Sequence, residues 1–133
     1  MISIIDQIIR LKEKYGILED DSTYEKQVEW LSWAIKNGHC EVITTLFGRV
    51  RGFLEWVRLN EFPTSAKDFK LDHSVMRTAP IAFVGNAYAE NISILRKLKN
   101  MALKKQSDAK YICWHSKRRN RIFITRRNYA LSP

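Results

Sequence analysis

Apolar residues recur at helical spacing in the first part of the chain. Residues 2–14 carry isoleucines three or four positions apart with charged residues between them, which predicts an amphipathic helix. A left-handed cap at Gly16 is expected to end it. A second helix is predicted over residues 23–36, because Ser22 and Glu25 have the spacing of a capping box.

The middle of the chain is rich in β-branched and aromatic residues, which favour strands. Residues 40–47 and 50–59 flank Gly48-Arg49, and this pattern predicts a β-hairpin. A glycine inside a strand is typical of a bulge, and one is therefore expected at Gly52.

A strand, a turn and a helix are predicted after a loop at residues 60–73. The strand covers residues 75–84 and is expected to bend near Pro80, which cannot donate to a ladder. Gly85-Asn86 is predicted to turn the chain into a helix over residues 90–106. The residues predicted to form the buried face of this helix are Ile92, Leu95, Leu98, Met101 and Ala102.

Two short apolar segments predict a closing hairpin. They are residues 110–115 and 121–126, joined by a basic connection at 116–120. The predicted order is therefore ααβββαββ. It indicates the α+β class, with a single mixed, mainly antiparallel sheet flanked by helices in one domain over residues 1–133.

Charge is distributed unevenly along the chain, whose net charge is +9. Residues 1–66 hold 8 Lys/Arg and 10 Asp/Glu, a net of −2, whereas residues 67–133 hold 15 Lys/Arg and 4 Asp/Glu, a net of +11. This asymmetry favours a polyanionic partner: nucleic acid, an anionic membrane, an acidic protein or a phosphorylated cofactor. The alternative is a solvated basic surface that keeps the protein soluble.

Composition excludes some classes of protein. No apolar run approaches the roughly 20 residues that span a bilayer, and the charged residues within 2–14 do not fit a signal peptide. The two cysteines, Cys40 and Cys113, are too few and too far apart for a disulfide framework. A cytoplasmic protein with reduced thiols is expected.

The strongest local signal is a basic cluster near the C-terminus, with aromatic residues among the cations. Its members are the predicted polyanion-binding residues Lys117, Arg118, Arg119, Arg121, Arg126 and Arg127. Arginine forks suit phosphate recognition. Trp114, His115 and Tyr129 lie close by and are able to stack on bases.

The order of elements resembles the GNAT (GCN5-related N-acetyltransferase) fold. Residues 40–59 resemble its first hairpin, 81–105 its strand–turn–helix and 110–126 its closing strands. Residues 30–60 are also similar to the toxin-activating acyltransferases, a divergent branch of that fold. The resemblance implies acyl transfer from acyl-CoA or an acyl carrier to an amine.

The resemblance places the pyrophosphate of the donor in the turn before the third helix. Its predicted cofactor-binding residues are Val84, Gly85, Asn86 and Ala87. This segment has one glycine and lacks the family's pattern of Gln or Arg followed by two spaced small residues. Backbone N–H groups at a helix start still suit an anion, but Glu90 would repel a phosphate.

The resemblance also suggests catalytic residues. Glu55 is the predicted general base, with Glu41 as the alternative, and Tyr88 or Tyr111 the predicted acid. The competing interpretation is that these are ordinary polar residues of strand faces. No metal site is predicted, since the cysteines and histidines match no zinc-binding spacing.

Two functions therefore remain open at the level of sequence. One is a divergent acyltransferase whose basic half holds the phosphates of acyl-CoA or an acidic carrier. The other is a non-catalytic binding module for nucleic acid or an acidic protein. Trp30 and Trp33 share one helix face as core or docking residues, so a homodimer also stays open.

Overall fold

The computed structural model describes residues 2–17, 22–64, 79–116, 119 and 121–126. The elements follow the predicted order ααβββαββ: α1 (Ile4–Lys14), α2 (Tyr24–Asn37), β1 (Cys40–Thr44), β2 (Val50–Leu59), β3 (Ile81–Ala89), α3 (Ile92–Lys105), β4 (Tyr111–Ser116) and β5 (Arg121–Arg126). The predicted beginning of the third strand, at residues 75–78, lies outside the described residues.

The five strands form one sheet in the order β1-β2-β3-β4-β5. β1 pairs with β2 and β4 with β5 in antiparallel fashion. β3 and β4 are parallel, with Ile81–Val84 opposite Tyr111–Trp114, and α3 provides the long connection that parallel neighbours require. The prediction of an α+β protein with a single mixed sheet is confirmed.

The chain divides into two compact units. The first comprises Met1–Glu55 and Asn86–Lys105, and the second comprises Trp56–Gly85 and Gln106–Pro133. A single domain over residues 1–133 stays a prediction.

In the first unit, β1 and β2 are covered on both faces. Glu41 and Glu55 point to opposite faces, because Glu55 pairs with Cys40, the neighbour of Glu41. Lys12 of α1 and Trp30 of α2 contact Glu55, whereas Lys105 of α3 contacts Glu41. The two N-terminal helices thus pack on one face of this hairpin and α3 on the other.

Side-chain caps fix the starts of α1 and α2. The hydroxyl of Ser3 accepts a hydrogen bond from the Asp6 amide, and that of Thr23 accepts one from the Lys26 amide. The predicted capping role of Ser22 is therefore wrong by one residue. Its hydroxyl instead accepts a hydrogen bond from the Gln27 side chain, at 2.6 Å.

The hairpin between β1 and β2 contains the predicted turn and irregularity. Gly48 has a φ of 84°, which favours glycine. Ile43 pairs with Gly52 and Thr44 with Val50, so Arg51 is the extra residue of a bulge beside the predicted position. A Cβ on Gly52 would lie 2.7 Å from the Ile94 side chain, so close packing against α3 requires this glycine.

The predicted turn at Gly85-Asn86 is wrong, because β3 continues through it to Ala89. The Glu90 amide donates a hydrogen bond to the Arg51 carbonyl at 3.0 Å, so the chain still follows β2 at that point. Gly85 does not adopt a positive φ. Val84–Ala87 are therefore strand residues, and the chain turns at Glu90 and Asn91 instead.

α3 begins two residues later than predicted, and it buries Leu98 and Ala102 as predicted but Ile94 in place of Ile92. Its N-terminal amide at Ile94 donates to the Asn91 side chain at 3.0 Å. The buried residues are Ile94, Leu98 and Ala102, spaced four apart. Ile92, predicted to be buried, is exposed because it lies in the first turn, off this stripe.

In the second unit, a buried arginine joins β2 to the segments around it. The Arg58 guanidinium donates to the Ala79 carbonyl at 2.7 Å and to the Asp108 carboxylate at 3.0 Å. The Phe62 ring meets the Tyr111 ring edge-on, with their centroids 5.0 Å apart. These contacts hold the segment that follows β2 and the segments that lead into β3 and β4.

Candidate functional site

The two faces of the β4–β5 hairpin differ clearly at β4, whereas on β5 the face of Cys113 is also open, since Ile124 opposite Cys113 is 51% exposed. Cys113 is fully buried, which identifies the face of β4 that packs inward. Trp114, the next residue, points to the opposite face, and Phe123 of β5 lies directly across the ladder from it. The outward face therefore presents a pair of aromatic rings.

This pair is stacked and partly open to solvent. The ring centroids of Trp114 and Phe123 are 5.6 Å apart, and their planes differ by 15°. Trp114 remains 39% exposed, so a substantial part of its apolar surface is still in contact with water. An exposed tryptophan on a sheet face is suited to contact with another flat ring.

Two arginines lie over the Phe123 ring of this pair. The guanidinium carbon of Arg121 lies 4.7 Å from the centroid of the Phe123 ring, and that of Arg119 lies 5.8 Å from it. Both distances are within the range of cation–π attraction. We call Trp114, Phe123, Arg119 and Arg121 the hairpin platform.

Half of the predicted basic cluster lies within the described residues. Arg119, Arg121 and Arg126 are all exposed, whereas Lys117, Arg118 and Arg127 lie outside the part of the chain that the structure describes. Within that part, neither Arg121 nor Arg126 forms an ion pair with a carboxylate. Arg126 pairs with Tyr111 and so belongs to the face opposite Trp114.

Glu55, the predicted general base, lies in the interior of the first unit. It forms an ion pair with Lys12 and accepts a hydrogen bond from the Trp30 indole at 2.8 Å. Lys12 in turn donates to the Gln27 side chain at 2.9 Å. A general base must reach the proton that it removes, and here both carboxylate oxygens face groups of the protein itself.

Glu41, the alternative base, is also buried. One of its carboxylate oxygens accepts a hydrogen bond from the Lys105 ammonium group at 2.9 Å. The Lys105 side chain is about half exposed, so this pair lies at the margin of the first unit.

Tyr88, the predicted acid, is half-buried and packs against other aromatic residues. Its ring stacks on Tyr15 with a centroid distance of 5.1 Å and on Phe53 at 6.2 Å. Burial raises the pKa of the Tyr88 phenol, and a hydrogen bond with the Tyr15 side chain raises it further. Tyr111, the other candidate, belongs to the second unit.

Glu90 has a different environment from the one expected at the predicted turn. Arg51 and Arg49 both donate hydrogen bonds to its carboxylate, and they hold the pKa of that group below its usual value. No local sequence pattern indicates this cluster, because the arginines are 39 and 41 residues away. The Arg49–Arg51–Glu90 cluster thus neutralises a charge that would otherwise repel an anion.

The two thiols are buried and form no disulfide bond. Burial raises the pKa of the Cys113 thiol to about 11. Burial and the nearby Glu55 carboxylate raise the pKa of Cys40 still further. Within the described residues, no group of three or more His, Cys, Asp or Glu side chains is placed to hold a metal ion.

Comparison with known proteins leaves the function to be argued from the site itself. No family model matches the chain, and no curated protein is significantly similar to it. Among the described residues, no helix has both the length and the apolar character needed to cross a membrane.

Proposed function

We propose that this protein is a nucleic-acid-binding module and that the hairpin platform is its binding surface. The observation that carries this proposal is the stacked Trp114–Phe123 pair, with Trp114 exposed and the guanidinium groups of Arg121 and Arg119 over the Phe123 ring. Nucleic acids combine phosphates, which arginine binds through paired hydrogen bonds, with aromatic bases. The platform offers a complementary group for each.

Electrostatics supports the same proposal at longer range. The net charge of +11 on residues 67–133 raises the local concentration of a polyanion around this half of the chain and speeds its association. An acidic protein would also be attracted by this charge. Its carboxylates do not stack on the exposed indole of Trp114, whereas every nucleotide supplies both a phosphate and a flat base, so nucleic acid fits the platform better.

The proposal is tested by the affinity for a fluorescently labelled oligonucleotide, measured by anisotropy at about 50 and about 200 mM salt. Affinity should fall steeply with salt, because bound cations release counterions from the phosphates. Arg121→Gln should weaken binding and reduce the slope of log K against log salt by about 1.

Arg96→Gln provides a matched control for this experiment. Arg96 is an exposed arginine of α3, so the variant changes the net charge equally but leaves the platform intact. Equal affinities for the two variants, or binding that salt does not change, would contradict the proposal. Thermal unfolding of both variants confirms that they remain folded.

A second candidate is the acyltransferase activity that the resemblance implies. It is supported by the element order ααβββαββ and by the parallel strands β3 and β4 joined through α3. Two features count against this activity. Val84–Ala87 form a strand and not a phosphate-binding turn, and Glu55 is already engaged in an ion pair with Lys12. A saturable rise in melting temperature with acetyl-CoA, but not with free adenine nucleotide, would support this activity. No shift would remove it.

A further inference from the structure

We infer that the hairpin platform selects single-stranded over duplex nucleic acid by stacking an unpaired base on the exposed ring of Trp114. This inference rests on the proposed function and specifies its substrate class. It depends on the exposed indole that the outward face of β4 presents in addition to the positive charge of the arginines.

The exposed aromatic surface of the hairpin platform belongs mainly to Trp114. Trp114 is more exposed than Phe123, whose ring is already contacted by Trp114 and by the two arginines. The free ring surface of the platform is therefore mainly that of the indole. Stacking on an aromatic side chain requires the face of a base, which duplex pairing hides inside the helical stack.

The backbone that carries Trp114 is held in place by strand pairing. Trp114 lies on a paired strand, directly across the ladder from Phe123, and the two rings are nearly parallel. The residues on either side of Trp114 in sequence are Cys113, which is fully buried, and His115, which is half-buried. The indole is thus held on a fixed backbone, so little conformational entropy is lost when a base stacks on it.

The positive charge of Arg121 lies on the same face of the hairpin as the two rings. Arg121 lies two positions from Phe123 on the same face of β5, about 7 Å along the strand. When a base stacks on Trp114, the phosphate of its nucleotide therefore has a guanidinium group nearby on the same surface. The stacked base would provide preference for single strands, and the arginines would provide the salt-dependent part of the affinity.

The test compares an oligothymidylate of about 16 nucleotides with a duplex of the same length. Trp114→Leu removes the aromatic ring but keeps an apolar side chain. It should weaken binding of the single strand about 5- to 150-fold, since stacking of one base contributes about 1–3 kcal/mol. Trp114→Phe should retain most of the affinity, and neither variant should change binding of the duplex by more than about twofold.

Phe47→Leu provides the matched control. Phe47 is an exposed aromatic residue at the tip of the β1–β2 hairpin in the first unit, so its replacement should not affect binding. If Trp114→Leu binds the single strand as Phe47→Leu does, the stacking role is overturned. The proposed function would still stand if both variants bind with the expected salt dependence. If the unaltered protein binds neither probe, the proposed function itself fails.

Discussion

Lys12 of α1 and Glu55 of β2 form an ion pair inside the first unit, where neither side chain is more than 2% exposed. The pair is extended by the Gln27 side chain, which accepts from Lys12, and by the Trp30 indole, which donates to Glu55. Two helices and a strand are thereby linked through one set of buried polar contacts. Charges buried in this way are tolerated only when each has its partner.

Removing one partner of this pair should be strongly destabilising. Lys12→Met leaves the Glu55 carboxylate buried without its counter-charge, and we expect a loss of about 3–5 kcal/mol in the free energy of unfolding. The measurement is urea denaturation followed by tryptophan fluorescence. The double variant Lys12→Met/Glu55→Leu should recover most of this loss, since apolar groups of similar volume often replace a buried pair at little cost. A double variant less stable than the single one would contradict this account.

A methyl group at Gly52 should disrupt the packing of α3 on β2. The Cβ of Gly52→Ala would lie 2.7 Å from the Ile94 side chain and 2.8 Å from the Tyr88 carbonyl oxygen, which is part of the backbone and cannot rotate away. We expect a loss of about 1–3 kcal/mol, measured by urea denaturation. Gly16→Ala is the comparison: its φ of 65° is unfavourable for alanine, but no atom lies within 4 Å of the new methyl group. The loss at Gly16 would come from backbone strain alone. Crowding at Gly52 is tested by making Gly52→Ala in an Ile94→Ala background, where it should cost less than in the unaltered protein, and an equal cost in both backgrounds would show that crowding is not the cause.

Acid should weaken the Arg49–Arg51–Glu90 cluster. The two arginines lower the pKa of Glu90, so its contribution to stability is fully present above the carboxyl's ordinary pKa of about 4.3 and is lost as pH falls through the lower folded value. Glu90→Gln should therefore reduce the fall in melting temperature between about pH 5 and about pH 3. Glu29→Gln, at an exposed position of α2, serves as the control. If Glu90→Gln leaves the fall in melting temperature between about pH 5 and about pH 3 unchanged, Glu90 does not contribute to the pH dependence of stability.

Both thiols should be unreactive in the folded protein. Burial raises the pKa of Cys113 to about 11 and also raises that of Cys40, so little thiolate exists at neutral pH and reagents have little access to it. A thiol-reactive dye should label the native protein slowly and should label two cysteines quickly once urea unfolds it. Fast labelling of one thiol without unfolding would show that its unit opens locally.

Most elements could be predicted because their signals are local. The bounds of β2 and β5 follow from runs of strand-forming residues, and Gly48 marks the turn between β1 and β2. The end of β3 could not be predicted in the same way. Gly85-Asn86 is a typical turn sequence, but continued pairing beside β2 outweighs that preference, as the bond from Glu90 to Arg51 shows.

The candidate site could be predicted only where it is local in sequence. Arg121 and Trp114 belong to one hairpin, so the cluster of cations and aromatic residues was visible in the sequence. The ion pair of Glu55 with Lys12 could not be predicted from the sequence. Lys12 is 43 residues away, and a lysine of an amphipathic helix is usually exposed. Burial of Lys12 is decided by the packing of α1 on β2, which no local pattern specifies.

β5 lies at one end of the strand order, so its outer backbone groups face no further described strand. Such a strand is a template on which another molecule of the same protein can add and start aggregation. Arginines occupy both ends of β5, and charged side chains at such positions discourage this addition through mutual repulsion. Neutralising Arg121 and Arg126 together would therefore be expected to lower the solubility limit of the protein, whichever ligand the hairpin binds.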